Sequence, residues 1–235
     1  MGIGTLVNTA AIILGGLLGL LLKSVLPERV QNTLIKAIGL CVLFIGIGGA
    51  MEGMLSYEGG KLVSRGSMMI IFSFVTGTVL GEGIDLERRI GQFGAWLKAK
   101  TRNERDKSFM EGFVSTSLIV CVGAMAVVGA IQDGLSGDYS LLMAKSVLDF
   151  IIVMIMAASI GKGCIFAAVP VALFQGTITI LARFIQPLIT AGAMSNLSLT
   201  ASMLIFCVGV NLIWDKKIKV ANMLPAILFA LIFRW

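Results

Sequence analysis

A charged pair inside an apolar segment is the first place in this sequence where chemistry could occur. Asp149 lies well within the run Leu148-Asp149-Phe150-Ile151-Ile152, and Lys145 precedes it by four residues. This spacing places both side chains on one face of a helix. A carboxylate inside a membrane is costly unless it is paired or faces water. The pair therefore predicts either a cation or proton site in a cavity, modulated by Lys145, or an ion pair that only clamps helices together.

Uncharged amides inside other apolar segments could complete such a site. Gln175 stands beside Gly176 and downstream of Pro170, and Asn222 lies shortly before Pro225. Proline removes a backbone donor and glycine permits close approach, so we expect broken helices that expose backbone dipoles to a solute. The alternative for any one amide is hydrogen bonding between helices. The same two interpretations apply to Asn8 and Asn211.

Two further carboxylates end apolar segments. Glu52 and Asp133 occupy nearly equivalent places in the internal repeat described below, and both are expected at the outer boundary of the membrane. They could form an acidic vestibule that concentrates cations. The alternative is that they are ordinary solvated ends of spans.

Residues for catalysis or metal binding are not found. The chain has no histidine, which removes the commonest general base and most transition-metal ligand sets. Its four cysteines form no CxxC pair, and no glycine-rich phosphate loop is present. We therefore expect no catalytic residue, no metal site and no cofactor, and we predict that the protein is not an enzyme. The cysteines are Cys41, Cys121, Cys164 and Cys207.

The composition requires a membrane around these residues. Of 235 residues, 57% are hydrophobic and only 14% are charged, and the mean hydropathy is +0.95. Windows of about 20 apolar residues recur, which is the length that crosses the hydrocarbon of a bilayer. The sequence predicts an all-α polytopic protein with a single transmembrane domain, 1–235. About eight spans are predicted, near 3–22, 34–54, 66–82, 110–131, 141–161, 164–184, 197–214 and 219–234.

The basic residues indicate orientation. Most of them fall in the connections 23–36, 88–107 and 216–219, which are cytoplasmic if both termini lie outside. We therefore predict a multi-pass protein of the inner (cytoplasmic) membrane with the N-terminus and the C-terminus outside. The net charge of +6 is explained by these connections and does not indicate nucleic-acid binding. The expected partners are the lipid bilayer and an unidentified small solute or ion, with homo-oligomerisation left open.

The long connection 83–108 carries a helical apolar stripe. Leu86, Ile90, Phe93 and Leu97 recur at helical spacing, with Trp96 alongside. We interpret 84–100 as a cytoplasmic amphipathic helix at the membrane interface. A regulatory or partner-docking helix is the alternative.

The sequence contains an internal repeat. Residues 41–84 align on 121–164 without a gap, with matches that include Cys41/Cys121, Gly49/Gly129 and Gly81/Gly161. Repeats of mixed orientation around a midplane site are a common transporter architecture. Convergent patterning of small residues is the alternative explanation.

Several segments resemble a known family. They are residues 121–126, residues 129–135, Lys145-Ser146 with Leu148-Asp149, Pro170-Val171 with Gln175-Gly176, and the run from Lys219 to Pro225. Over essentially the whole chain, the sequence resembles the YqgA/YdfK-like bacterial integral membrane proteins, a domain-of-unknown-function family. This resemblance implies a bacterial inner-membrane protein and supplies no site residues.

Three functional hypotheses follow. The first is a transporter or channel for a small solute or ion, coupled to a cation at Asp149. The second is a structural or regulatory membrane protein that acts through partner binding and carries out no transport. The third, a membrane enzyme, lacks a constellation of catalytic side chains.

Overall fold

The computed structural model describes residues 2–101, 108–121, 124–185, 190–214 and 218–233. Most of the described residues are helical, and the prediction of an all-α polytopic protein is confirmed. In chain order the elements are α1 Ile3–Val25, α2 Glu28–Met54, β1 Leu55–Glu58, β2 Lys61–Ser64, α3 Ser67–Ile84, α4 Leu86–Lys100, α5 Phe109–Cys121, α6 Ala124–Ser136, α7 Ser140–Ser159, a 3₁₀ helix Lys162–Ala167, α8 Ala168–Ile180, α9 Ala182–Ile185, α10 Ala191–Ile213, α11 Val220–Met223 and α12 Ala226–Ile232. Parts of the predicted connections, 102–107 and 215–217, lie outside the described residues.

Six stretches of the described chain are long and apolar enough to cross a membrane. They are α1, α2, α3, α7, the 3₁₀ helix with α8, and α10. A seventh span results if α5 and α6, whose axes differ by 62°, are counted together, and Val220–Ile232 is a shorter apolar helix. Large apolar side chains on these helices face outward; Leu21 is 66% exposed, Val79 70% and Ile180 81%. An apolar surface of this extent is favourable in contact with lipid and unfavourable in contact with water.

A β-hairpin follows α2 and was not predicted. Strands β1 and β2 pair antiparallel, with Leu55 opposite Ser64 and Glu58 opposite Lys61. Gly59 and Gly60 form the turn with φ of 55° and 81°. Positive φ at both central positions is the backbone that a two-residue hairpin turn requires, and glycine adopts it without strain. The Gly-Gly pair between two short alternating segments was the signal for this hairpin.

The chain forms two compact units. The first comprises Met1–Ile38 and Ile90–Pro187, and the second comprises Gly39–Arg89 and Leu188–Trp235. The repeat segments predicted from sequence fall in different units: residues 41–84 belong to the second and residues 121–164 to the first.

In the first unit, α1 and α7 run parallel over their whole length. Gly4 lies against Leu142, Gly15 against the backbone of Phe150 and Gly19 against the backbone of Met154. At the far end, Lys23 Nζ donates to the carbonyl oxygen of Ile160 at 2.6 Å, which satisfies a C-terminal acceptor of α7. Small residues allow this close approach, as expected for helices that pack in lipid.

The second unit is built from antiparallel helix pairs. Helix α10 packs along α2, with Gly46 against Phe206 and Gly39 against Leu212. Helix α3 packs against α11 and α12, with Gly77 close to the backbone of Ala226. The interruption between α11 and α12 falls at Leu224–Pro225, because proline cannot donate the backbone hydrogen bond that would continue α11.

Pro170 does not interrupt its helix. It lies in the first turn of α8, where backbone N–H groups have no helical partner, so its missing donor costs little. The irregular part of this segment is the 3₁₀ helix that precedes α8. The expectation of a break at Pro170 is therefore replaced by a change of helix type at residues 167–168.

The apolar stripe of α4 is partly buried against α5 and partly exposed. Leu97 is buried against Phe109 and Phe113 of α5. Phe93 and Trp96 stack at 5.8 Å between ring centroids and remain 39% and 55% exposed. This outer pair leaves an aromatic surface of the kind that inserts at a membrane interface.

Candidate functional site

The charged pair predicted from sequence lies on the buried face of α7. Lys145 Nζ donates to Asp149 Oδ2 at 2.5 Å, and the two side chains are only 9% and 5% exposed. Leu142, Ser146 and Val153 share this face, so the pair lies in the interior of the first unit. Neither side chain could remain charged there alone. The desolvation penalty of a buried ion is offset only by a close opposite charge and further hydrogen bonds.

Lys145 also binds the end of α5. Its Nζ donates to the carbonyl oxygen of Val120 at 2.8 Å. Val120 lies in the last described turn of α5, and residues 122–123 lie outside the described part of the chain. Lys145 therefore joins the charge on α7 to the end of α5.

Two amides extend the pair into a network across three helices. Asn8 Nδ2, on α1, donates to Asp149 Oδ2 at 3.0 Å and to Gln175 Oε1, on α8, at 3.3 Å. Both amide side chains are 0% exposed. The structure thus brings together four of the predicted site residues, from three separate regions of the sequence.

The network is incomplete. Within the described part of the chain, Asn8 Oδ1 and Gln175 Nε2 are buried and make no hydrogen bond. A buried acceptor and a buried donor without partners cost about 1–3 kcal/mol each. Such atoms in a native structure require an explanation, and a role in binding is one.

A cavity of about 610 Å³ lies in the first unit, and it is lined by sequence neighbours of Asn8 and Gln175 and not by the network residues themselves. Thr5 and Thr9, which flank Asn8 on α1, line it, and so do Gly176 and Thr179, which flank Gln175 on α8. Most of the remaining lining is apolar, with the exposed Arg183 as its charged member. The cavity and the amide pair therefore share the same turns of α1 and α8.

Thr5 and Thr179 join the two helices beside the amide pair. Their hydroxyl oxygens are 3.3 Å apart. Each lies about one helical turn from an amide of the network, since Thr5 precedes Asn8 by three residues and Thr179 follows Gln175 by four. Neither threonine was among the predicted site residues, although this spacing could have placed both there.

Asp133 has a structural position that the sequence did not predict. Its Oδ1 accepts from the backbone N–H of Gly2 at 3.0 Å and its Oδ2 from that of Gly4 at 2.9 Å. These bonds satisfy donors at the start of α1, where the helix dipole favours a negative charge. The residue is 0% exposed, so the expectation of a solvated carboxylate in a vestibule does not hold for Asp133.

Replacement of Asp133 by asparagine should destabilise the protein by about 1–3 kcal/mol, because an amide nitrogen would face a buried backbone donor. Unfolding in detergent, followed by circular dichroism against denaturant, measures this loss. Asp138→Asn is the matched control, since Asp138 is exposed and asparagine keeps an oxygen that can accept from the backbone N–H of Ser140, so its cost should stay below about 1 kcal/mol. Equal stability of the two variants would contradict the assigned role of Asp133.

Asp138 marks the start of α7. Its Oδ1 accepts from the backbone N–H of Ser140 at 3.0 Å. Hydrogen bonds from the Ser140 side chain and backbone lower the pKa of the Asp138 carboxyl below its usual value. The carboxylate therefore stays charged where the N-terminus of α7 favours an anion.

The remaining predicted site residues belong to the second unit. Asn211 bonds twice to the backbone of Ile218, at 2.6 and 2.9 Å, and so closes the turn after α10. Asn222 Oδ1 accepts from the backbone N–H of Glu87 at 2.6 Å. Glu52 is exposed near the end of α2. Among the described residues, no three Cys, Asp or Glu side chains meet in a way that could hold a metal ion.

These features define a multi-pass helical membrane protein with a buried polar network and a cavity in its first unit. The chain belongs to the DUF554 family of proteins of unknown function, whose family model matches residues 3–235. It is 32% identical to the uncharacterized protein YqgA of Escherichia coli (strain K12), over 98% of this chain and 95% of that protein. It is 28% identical to the uncharacterized membrane protein YdfK of Bacillus subtilis (strain 168), over 96% of this chain and 92% of that protein. No solved structure matches it significantly.

Proposed function

We propose that this protein is a transporter or channel for a small solute or ion, and that the solute binds in the first unit at the Asp149 network. The observation that carries the proposal is the incomplete network, whose helices α1 and α8 also line a cavity. Asn8 Oδ1 and Gln175 Nε2 are buried without partners, while Thr5, Thr9, Gly176 and Thr179 of the same helical turns line the cavity.

A purely structural clamp would be expected to satisfy its own hydrogen bonds. Buried polar networks stabilise a fold when every member is paired, and each unpaired member reduces that benefit. An ion pair between Lys145 and Asp149 alone would hold α7 without the two amides. The additional amides, with one donor and one acceptor unused, favour a site that a solute completes.

Gly176 provides a second line of support. A Cβ atom at this position would meet nothing within 4 Å, so packing does not require glycine there. Glycine in a helix interior costs about 1 kcal/mol relative to alanine. Glycine at this position on the wall of the cavity leaves space that a larger side chain would fill.

The proposal includes a location and an orientation. The basic connections favour the cytoplasmic membrane with both termini outside, and the lipid bilayer is then the first partner of the exposed apolar helices. The exposed Phe93 and Trp96 of α4, with Lys100 Nζ 5.6 Å from the Trp96 ring centroid, suit the cytoplasmic interface. We propose no enzymatic activity, because the network offers no nucleophile with an adjacent base.

Filling the cavity tests the proposal. Wild-type protein in proteoliposomes should pass at least one solute, detected by light scattering for uncharged solutes or by bilayer conductance for ions. Gly176→Leu places a side chain in the cavity and should reduce that flux at least about tenfold, which corresponds to about 1.4 kcal/mol. Its melting temperature in detergent should remain close to that of wild type, because the position is open.

Gly48→Leu is the matched control. Gly48 lies within α2, is exposed, and also has nothing within 4 Å of an added Cβ. This variant should retain wild-type flux. No flux of any tested solute through wild-type protein, or equal flux through both leucine variants, would contradict the proposal and would favour a structural or regulatory role.

A further inference from the structure

Helix α4 carries two exposed aromatic rings between two exposed cations. Arg89, Phe93, Trp96 and Lys100 follow one another at spacings of four, three and four residues, which places them on one face of the helix. We propose that this cation–aromatic face binds anionic phospholipids of the bilayer in preference to zwitterionic ones. The inference concerns a lipid partner, and it does not depend on whether the protein carries a solute.

A neighbouring face of α4 is packed against α5, which fixes the direction of the cation–aromatic face. Leu97 is buried against Phe109 and Phe113. Gly94 lies so close to Met110 and Phe113 that a Cβ atom there would overlap their side chains. Helix α4 therefore cannot rotate about its axis without losing these contacts, and the cation–aromatic face stays on the outside.

The two aromatic rings extend this apolar contact toward the exterior. The Phe93 ring centroid lies 6.1 Å from that of the buried Phe113 and 5.8 Å from that of Trp96. Phe93 is 39% exposed and Trp96 is 55% exposed. Exposed aromatic rings of this kind are favoured at the depth of the lipid headgroups, where one side of a ring meets hydrocarbon and the other meets water.

The two cations lie at the level of the rings. Lys100 Nζ is 5.6 Å from the Trp96 ring centroid, within the range of a cation–π contact. Arg89 Nε donates to the carbonyl oxygen of Ile84 at 3.0 Å, which uses one of the five N–H donors of the guanidinium. Both side chains are exposed, and both types of cation bind phosphate groups.

The charge of α4 is complementary to an anionic lipid surface. The helix contains four basic residues, Arg88, Arg89, Lys98 and Lys100, and one acidic residue, Glu87. From Arg89 to Lys100 the sequence contains no acidic residue. Anionic headgroups attract basic residues near the membrane surface, whereas zwitterionic headgroups provide no net attraction.

The start of α4 lies where a membrane span ends. Helix α3, one of the six stretches long enough to cross a membrane, ends at Ile84, and α4 begins at Leu86. Asp85 between them has a φ of 53°, a left-handed conformation that ends α3. An acidic protein could also meet the cations, but exposed aromatic rings on a helix that begins at the end of a span favour lipid as the partner.

Lipid contact at Trp96 measures the preference directly. The full chain with Trp96 as its sole tryptophan, obtained by Trp214→Phe and Trp235→Phe, is reconstituted in vesicles of phosphatidylcholine and phosphatidylglycerol. One of the two lipids carries brominated acyl chains, which quench tryptophan fluorescence on contact. Each basic residue near an anionic surface strengthens binding by up to about fivefold. We therefore expect quenching by both lipids, with at least about a threefold preference for phosphatidylglycerol.

Removal of the cations separates charge recognition from aromatic contact. In this single-tryptophan protein, Arg89→Gln with Lys100→Gln should lower the preference below about twofold and leave quenching by phosphatidylcholine unchanged. Salt at about 1 M, where the Debye length is about 3 Å, should have the same effect on the unaltered face. Arg29→Gln with Lys36→Gln is the matched control, because it removes two exposed cations from α2, and it should keep the full preference.

Three results would overturn the inference. Trp96 that neither brominated lipid quenches would not contact the bilayer, and an acidic protein partner would then be favoured. Equal quenching by the two lipids would show a helix that lies at the interface without recognising the headgroup. A preference that persists in Arg89→Gln with Lys100→Gln, while circular dichroism shows a folded protein, would assign headgroup recognition to other residues.

Discussion

Asp149→Asn should destabilise the protein by about 3–5 kcal/mol, the cost of leaving one member of a buried ion pair without its partner. The substitution preserves the shape of the side chain but removes the charge that compensates Lys145 at 2.5 Å. The amide oxygen could still accept from Asn8 Nδ2 in the place of Asp149 Oδ2, so the expected loss comes from the missing charge. Equilibrium unfolding in mixed detergent micelles measures the difference.

A double variant distinguishes the loss of both charges from the loss of one. Lys145→Met with Asp149→Leu removes both charges and restores apolar packing, and replacements of this kind are often neutral or stabilising. We therefore expect the double variant to be at least as stable as Asp149→Asn and close to wild type. If the two variants were equally destabilised, Asp149 would be needed for packing and not for its charge. If Asp149→Asn were neutral, the carboxylate would not be ionised in the folded protein.

The second large effect is expected where α1 and α7 meet. In the double variant Gly15→Ala with Gly19→Ala, the added methyl groups would overlap the carbonyl oxygens of Phe150 and Met154. Backbone atoms cannot move aside as a flexible side chain can, so each overlap should cost about 1–3 kcal/mol. A melting temperature well below that of wild type in the same detergent would show this loss.

Gly48→Ala is the control for this pair. It introduces the same methyl group into a helix of similar length at a position with nothing within 4 Å. Alanine is the better helix former by about 1 kcal/mol, so its stability should be unchanged or slightly raised. Wild-type stability of the Gly15/Gly19 double variant would mean that α1 and α7 are not in close contact.

The sequence predicted helices well because the apolar windows that lipid requires are long and local. Helix α1, for example, was expected over 3–22 and spans Ile3–Val25. The hairpin at Gly59–Gly60 was missed because the pattern on either side is only four residues long. The fourth predicted span, 110–131, contains most of α5 and the first part of α6, and residues 122–123 between them lie outside the described part of the chain.

The site could be predicted only in part. The burial of Asp149 and its pairing with Lys145 follow from a single helix, so periodicity was sufficient to place them together. The contact of Asn8 with Gln175 spans 167 positions in the sequence and depends on how α1 and α8 pack, which no local pattern encodes. Asp133 shows the converse: its position at the end of a span suggested solvent, but its two bonds to the start of α1 are long-range contacts.

The position of Asn8 between Asp149 and Gln175 has a thermodynamic consequence. One amide nitrogen serves both neighbours, so a proton on Asp149 would change what Asn8 can offer to Gln175 and to any solute bound there. Reciprocal linkage then applies: whatever factor a solute imposes on the proton affinity of Asp149, protonation imposes on the affinity for that solute. A solute that bound this network would therefore be linked to the proton occupancy of Asp149 through the hydrogen bonds of Asn8.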